Sequence, residues 1–90
     1  MLKVVLSNQF KKDLKLMNRR SMNLELLENV VNQLACCETL DEKFCDHPLT
    51  GNYAGFRECH IKPDWLLVYR INNDELFLFL FRTGTHSDLF

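Results

Sequence analysis

Four stretches hold all three histidines of this chain, each beside other groups able to handle a phosphate ester. They are Asp46-His47-Pro48-Leu49-Thr50-Gly51, His60-Ile61-Lys62-Pro63-Asp64-Trp65, Arg82-Thr83-Gly84-Thr85-His86 and the terminal Phe90. Histidine can take or give a proton near neutrality because its unperturbed pKa is about 6.5. The planar fork of Arg82 matches the charge and spacing of phosphate oxygens. Asp64 could accept a proton or orient an imidazole. Histidines, a carboxylate and an arginine are what metal-free RNA cleavage requires, and Trp65 and Phe90 could hold bases.

Those residues need a scaffold that brings them together. Lys3-Val4-Val5-Leu6 reads as a short strand, after which Ser7 can cap a helix carrying Phe10, Leu14 and Met17 at helical spacing. Asn23 can cap a second helix with the apolar stripe Leu24, Leu27, Val31 and Leu34, widened by Val30. Residues 38–52 are polar, include Pro48 and Gly51, and read as a long loop. Three strands are expected next, from Tyr53 to Ile61, Trp65 to Ile71 and Glu75 to Arg82, separated by Lys62-Pro63 and Asn72-Asn73-Asp74. The order β-α-α-β-β-β predicts one α+β domain over 1–90, with two N-terminal helices packed on one face of a mainly antiparallel four-stranded sheet.

The hairpins suggest how the polar residues meet. A turn centred near Lys62 would set His60 opposite Asp64, and one near Asn73 would set Asp64 opposite Arg82. Residues directly opposite on antiparallel strands share a face, with Cβ atoms about 4.5–5.5 Å apart. His60, Asp64 and Arg82 are thus expected in one row at the end of the sheet, with His86 folding back over them after Gly84. A slip of one residue would turn a partner away. Taken singly, Trp65 suits a core, Asp64 a turn, Arg82 a surface ion pair and Phe90 a terminal anchor. Tyr53, Phe56, Phe77, Phe79 and Phe81 read as sheet packing.

Net charge is −1 over 90 residues, so bulk charge does not announce a nucleic-acid partner. Its distribution is uneven. Residues 1–20 carry Lys3, Lys11, Lys12, Lys15, Arg19 and Arg20 against Asp13, whereas residues 21–50 are acidic. The basic segment could touch phosphate or form a solvated face. Cys36, Cys37, Cys45 and Cys59 make no C-x-x-C pair and follow no signal sequence, which suits reduced thiols in the cytoplasm. A zinc site from Cys45, His47, Cys59 and His60 would match no standard spacing. The longest apolar run, Leu76 to Phe81, is too short to span a bilayer.

Asp46-His47-Pro48-Leu49, Gly55-Phe56-Arg57, His60 with Pro63-Asp64-Trp65, and Arg82-Thr83-Gly84-Thr85-His86 before Phe90 occur in that order. In this the chain resembles the YafQ-type branch of the RelE/ParE superfamily of bacterial toxins, along nearly its whole length. The resemblance implies a small ribonuclease that enters the ribosomal A site, cuts mRNA and halts translation. It implies active-site status for His47, His60, Asp64, Trp65, Arg82, His86 and Phe90, with no metal or other cofactor. On this reading Arg82 clamps phosphate, His86 is the general acid, and His60 or Asp64 is the base. If His60 is the base, Asp64 orients it. His47 binds phosphate or supports proton transfer, and Lys11, Lys12, Lys15, Arg19 and Arg20 would meet ribosomal RNA. A cognate antitoxin is implied, commonly in a heterotetramer, with DNA contacted only through that partner and no membrane involved. The alternative is a ParE-type toxin of the same fold that poisons gyrase by binding.

Overall fold

Ser7 joins the first strand to the first helix and ties both to the far end of the chain. The computed structural model describes residues 1–90. Strand β1 (Lys3–Leu6) runs parallel to β5 (Phe77–Gly84), with Leu6 level with Leu80. At the next residue the Ser7 amide donates to the Leu80 carbonyl (3.0 Å) and its hydroxyl donates to the Phe81 carbonyl (2.6 Å). The same hydroxyl accepts from the Phe10 amide at 2.9 Å, capping helix α1 (Asn8–Arg19). Asn23 caps α2 (Leu24–Ala35) by accepting from the Glu25 amide. The three expected strands become β3 (Arg57–Lys62), β4 (Trp65–Asn72) and β5.

The loop over 38–52 holds more order than its composition suggests. Asp41 caps a 3₁₀ turn (Glu42–Phe44), His47–Pro48 forms a short strand β2 against β3, and Gly51–Tyr53 makes a second 3₁₀ turn. The sheet therefore has five strands rather than four, in the order β1-β5-β4-β3-β2, all antiparallel except β1 with β5. A final turn of helix, α3 (His86–Leu89), closes the chain.

Strand alternation separates two apolar layers. Cys59, Ile61, Trp65, Leu67, Tyr69, Leu78 and Leu80 face the helices and meet Phe10, Met17, Leu27, Val30 and Leu34. The opposite face carries Leu66 and Val68, covered by Leu49, Phe56, Phe81 and Leu89 from the long loop, β5 and α3. Phe56 stacks on Phe81 at 4.7 Å, so these aromatics do pack the sheet.

The hairpin registers differ from those expected. Lys62 pairs with Trp65, leaving Pro63 and Asp64 as the two turn residues, and a bulge at Ile61 sets His60 opposite Leu66. Proline lacks an amide and has a φ suited to a turn, and aspartate also favours turns, so the pair takes the loop and the strand runs on to Lys62. On the other side Val68 pairs with Arg82 and Tyr69 with Leu80, which leaves Phe81 as the extra residue of a bulge. His60, Asp64 and Arg82 do not form a cross-strand row.

Cys59 lies on the helix face, wholly buried, and His60 points the other way, so alternation rules out the zinc set of Cys45, His47, Cys59 and His60. Burial, reinforced by the charges of Asp46 and Glu58, pushes the Cys59 thiol up to about 12. Cys36, Cys37 and Cys45 are exposed. A thiol reagent at neutral pH should modify these three at once and Cys59 only on denaturation. A fourth fast thiol in the native protein would show that the β3 face assignment is wrong.

Candidate active site

Period-two alternation puts Glu58 and His60 on the same face of β3, with their side chains directed away from the helices. His47 lies opposite Glu58 in the β2–β3 pairing and joins them there. Glu58 Oε1 is 3.3 Å from His60 Nε2 and 3.8 Å from His47 Nε2. The His47 and His60 rings are 6.4 Å apart and those of His60 and His86 5.6 Å, both edge to face. His86, first residue of α3, is anchored by Asp64. One Asp64 oxygen accepts from the His86 amide at 3.1 Å and lies 2.6 Å from its Nδ1. All three histidines thus converge, in the sequence His47–Glu58–His60–His86–Asp64.

The long loop delivers His47 by another aspartate anchor, this one half-buried. Asp46 accepts from the Tyr69 hydroxyl at 2.5 Å and from Arg57 Nε at 3.3 Å, fixing the residue just before His47 against the sheet. His47 Nδ1 lies 2.6 Å from the Cys45 carbonyl. A carbonyl can only accept, so Nδ1 carries the hydrogen and Nε2 is left for exchange. The ionised Asp64 carboxylate acts the same way on His86, placing the hydrogen on Nδ1 and leaving Nε2 outside that contact.

The carboxylates differ in setting. The Glu58 side chain is only 9% exposed, whereas that of Asp64 is 69% exposed. The hydrogen bond from the His86 ring, then that from its backbone amide, holds Asp64 below its ordinary carboxylate pKa. Its contact with His86 is therefore complete above the ordinary carboxylate range and is lost only as pH falls through the lowered value. A carboxylate so placed is a weak base and a good anchor. Asp64 accordingly orients His86 and not His60, whose carboxylate partner is Glu58. Glu58 is the residue that motif reading missed, and its signal was the i, i+2 spacing to His60.

Arg82 is engaged by Asp13 of α1, at 2.9 Å from Nε and 3.2 Å from Nη2. That hydrogen bond raises the guanidinium pKa further and keeps the charge in place. Nη1 is not taken up by Asp13. Asp13 also accepts from the Thr83 amide at 3.1 Å. Thr83 in turn accepts from Trp65 Nε1 at 2.9 Å and donates to the Leu66 carbonyl at 2.7 Å. Of the two roles open to Trp65, holding a base or packing in the core, the structure allows only the second: it is 0% exposed with its one polar atom satisfied, so it supports the core beneath the site and has no free face. Phe90 is 58% exposed and stands edge to face with Tyr53 at 5.4 Å, so an aromatic face remains open to a base. Lys11, Lys12 and Lys15 lie exposed on α1.

Glu58, His60 and His86 also offer three ligand atoms within 4.8 Å of one another. Two imidazoles and a carboxylate suit zinc or copper. The donor set therefore fits a transition-metal ion.

Residues 2–90 match the family model described as the YafQ bacterial toxin of type II toxin–antitoxin systems. The mRNA interferase toxin YafQ of Escherichia coli K12 is 39% identical over 85 residues, covering 93% of this chain and 90% of that protein. A metal-bound toxin from Helicobacter pylori is 50% identical over the full length of both chains, with a TM-score of 0.94. YafQ in the E. coli DinJ–YafQ complex is 34% identical, with a TM-score of 0.90, over 100% of this chain and 99% of that one.

Asp13→Asn preserves volume but replaces one acceptor oxygen by a donor. The Arg82 fork and the Thr83 amide cannot then all be satisfied. Urea unfolding should show a loss of about 1–3 kcal/mol. An unchanged midpoint would mean that the end of β5 holds without this carboxylate.

Proposed function

The chain belongs to the YafQ family of bacterial type II toxins, and from that premise we propose that it is the toxin of a toxin–antitoxin pair, an endoribonuclease that cuts mRNA in the ribosomal A site. Its partner is a cognate antitoxin, as DinJ is for the E. coli relative. The observation that carries the catalytic reading is the convergence of three histidines and the buried Glu58 on one face of the sheet. A toxin that acts on gyrase by binding needs no such row.

The reaction is attack of a ribose 2′-oxygen on the adjacent phosphorus. His60, with the Glu58 carboxylate beside one nitrogen, takes the 2′-hydroxyl proton. The new O2′–P bond forms as the P–O5′ bond breaks. His86 returns a proton from Nε2 to the departing 5′-oxygen, its ring steadied at Nδ1 by Asp64. The products are a 2′,3′-cyclic phosphate and a 5′-hydroxyl. Arg82, charged and fixed by Asp13, offers Nη1 to a non-bridging oxygen. His47 supports phosphate binding from the other end of the row. Phe90, paired with Tyr53, stacks on a base. Lys11, Lys12 and Lys15 supply salt-sensitive contacts to ribosomal RNA. An ion held by Glu58, His60 and His86 would supply positive charge near the phosphate, but would occupy the nitrogens that proton transfer needs.

His86→Ala should lower kcat by about 10²–10⁴ in a reconstituted translation reaction while the protein stays folded. Near-native cleavage by a folded variant would remove His86 from the reaction, and growth arrest without RNA cleavage would favour a binding toxin. Copper or zinc titrated into the same reaction should slow cleavage, and a chelator should restore it. If a chelator selective for zinc and copper, with Mg²⁺ for the ribosomes kept in excess, instead abolishes cleavage, the metal-independent scheme fails.

A further inference from the structure

We propose that Arg20 is a positioning residue for His86: its guanidinium, forked onto Asp88, locks the turn that carries the histidine against the end of the sheet. This rests on the reading of His86 as the general acid. The turn is only four residues long, His86–Leu89. A single helical turn has no stability of its own, because nucleation fixes several residues for one hydrogen bond. Its geometry must therefore be imposed from outside.

Asp88 is where that happens. Its backbone amide donates to the Thr85 hydroxyl at 3.2 Å and its carboxylate accepts from the Thr85 amide at 2.9 Å, a complete capping box. The same carboxylate receives Arg20 Nη1 at 2.6 Å and Nη2 at 3.1 Å, from a residue 68 positions earlier. Arg20 is itself fixed at the C-terminal end of α1, where its amide donates to the Leu16 carbonyl at 3.0 Å. One carboxylate thus fastens α3 to α1. Gly84 permits the fit, since a Cβ there would come within 3.0 Å of Asp88 Cβ and Oδ2. Arg20, followed by the Thr85 amide, draws the Asp88 pKa well below the ordinary carboxylate range, so the clamp is intact near neutrality.

The basic first segment accordingly divides in two. Lys11, Lys12, Lys15 and Arg19 are exposed and enter no ion pair, and remain open to phosphate. Arg20 is committed to Asp88. Its side chain is 41% exposed, and such a pair contributes little to global stability. Its consequence is local, in the placement of the His86 ring.

The test compares Arg20→Gln, Arg20→Lys, Asp88→Asn and the Arg20→Gln/Asp88→Asn double variant. Small misplacement of a reacting group is expensive, so both glutamine and asparagine variants should lose about 10- to 100-fold in kcat, with KM and Tm nearly unchanged. The double variant should be no worse than either single one, because the two residues act through one contact. Arg20→Lys should not rescue, since an ammonium keeps the charge but lacks the fork. Amide exchange at Leu89 and Phe90, whose N–H groups donate to the Thr85 and His86 carbonyls, should accelerate in every variant. A raised KM with multiplicative effects, or full activity in Arg20→Lys, would make Arg20 an RNA contact and overturn the proposal. Unchanged exchange would overturn it too, and that readout stands even if the wild-type protein cuts no RNA.

Discussion

Asp13 is the group on which the working end of the molecule depends. Strand β1 covers β5 only as far as Leu80, because Ser7 turns the chain into α1. The last residues of β5 are thereby left with an open edge inside the protein, and unpaired buried amides are costly. Asp13 projects from the buried face of α1, between Phe10 and Met17, and takes the place of the missing strand. It satisfies the Thr83 amide and at once neutralises Arg82. Thr83 passes the restraint to Trp65 and to the backbone of Leu66. One carboxylate on an otherwise basic helix therefore joins helix, sheet and candidate phosphate contact, and no buried side-chain polar atom is left without a partner.

The sheet supplies the rest by separating two duties. Its helix-facing side is a conventional apolar core, and Trp65, Tyr69 and Cys59 belong to it. Its other side is covered only partly, by the loop before β3 and by the chain end, and the titratable row lies there. Covering is uneven, so Glu58 is nearly buried while His47 and His86 are open to solvent. The rim histidines thus meet water while the central carboxylate lies 3.3 Å from the His60 ring. Binding of a polyanion by a protein of charge −1 is reasonable on these terms, because the basic residues are concentrated on α1, next to Arg82, and several acids face histidines or arginines.

Arrangement by small, separately anchored pieces is the recurring theme. His47 sits on a two-residue strand held by Asp46, and His86 on a single turn held by Asp64 and Asp88. None of these pieces would keep its shape alone. Each is fixed by an aspartate that reaches across to another element, which is how a domain of 90 residues can position groups on loops with little core to spare.

Much of this was legible in the residues. Ser7 and Asn23 marked helix starts, apolar spacing marked both helices, and the three later strands fell near their observed places, because caps and periodicity are local properties. The approach of His60 and His86 at one end of the sheet was legible too, since strand order leaves few alternatives, whereas His47, on a segment read as loop, was placed there only by the family resemblance. Register was not. The expected row of His60, Asp64 and Arg82 failed on a turn at Pro63-Asp64 and on one bulge in each hairpin, which hydrophobic pattern alone does not specify. Partner choice lay further out of reach. Asp13 with Arg82 and Arg20 with Asp88 stand 69 and 68 residues apart, and no spacing rule connects them. Sequence by itself determined the two long helices, the main strands and which titratable side chains they carry, because those follow from neighbours along the chain. Only the tertiary structure decided which charge holds which, because that depends on where packed helices set their side chains against the end of a twisted, bulged sheet.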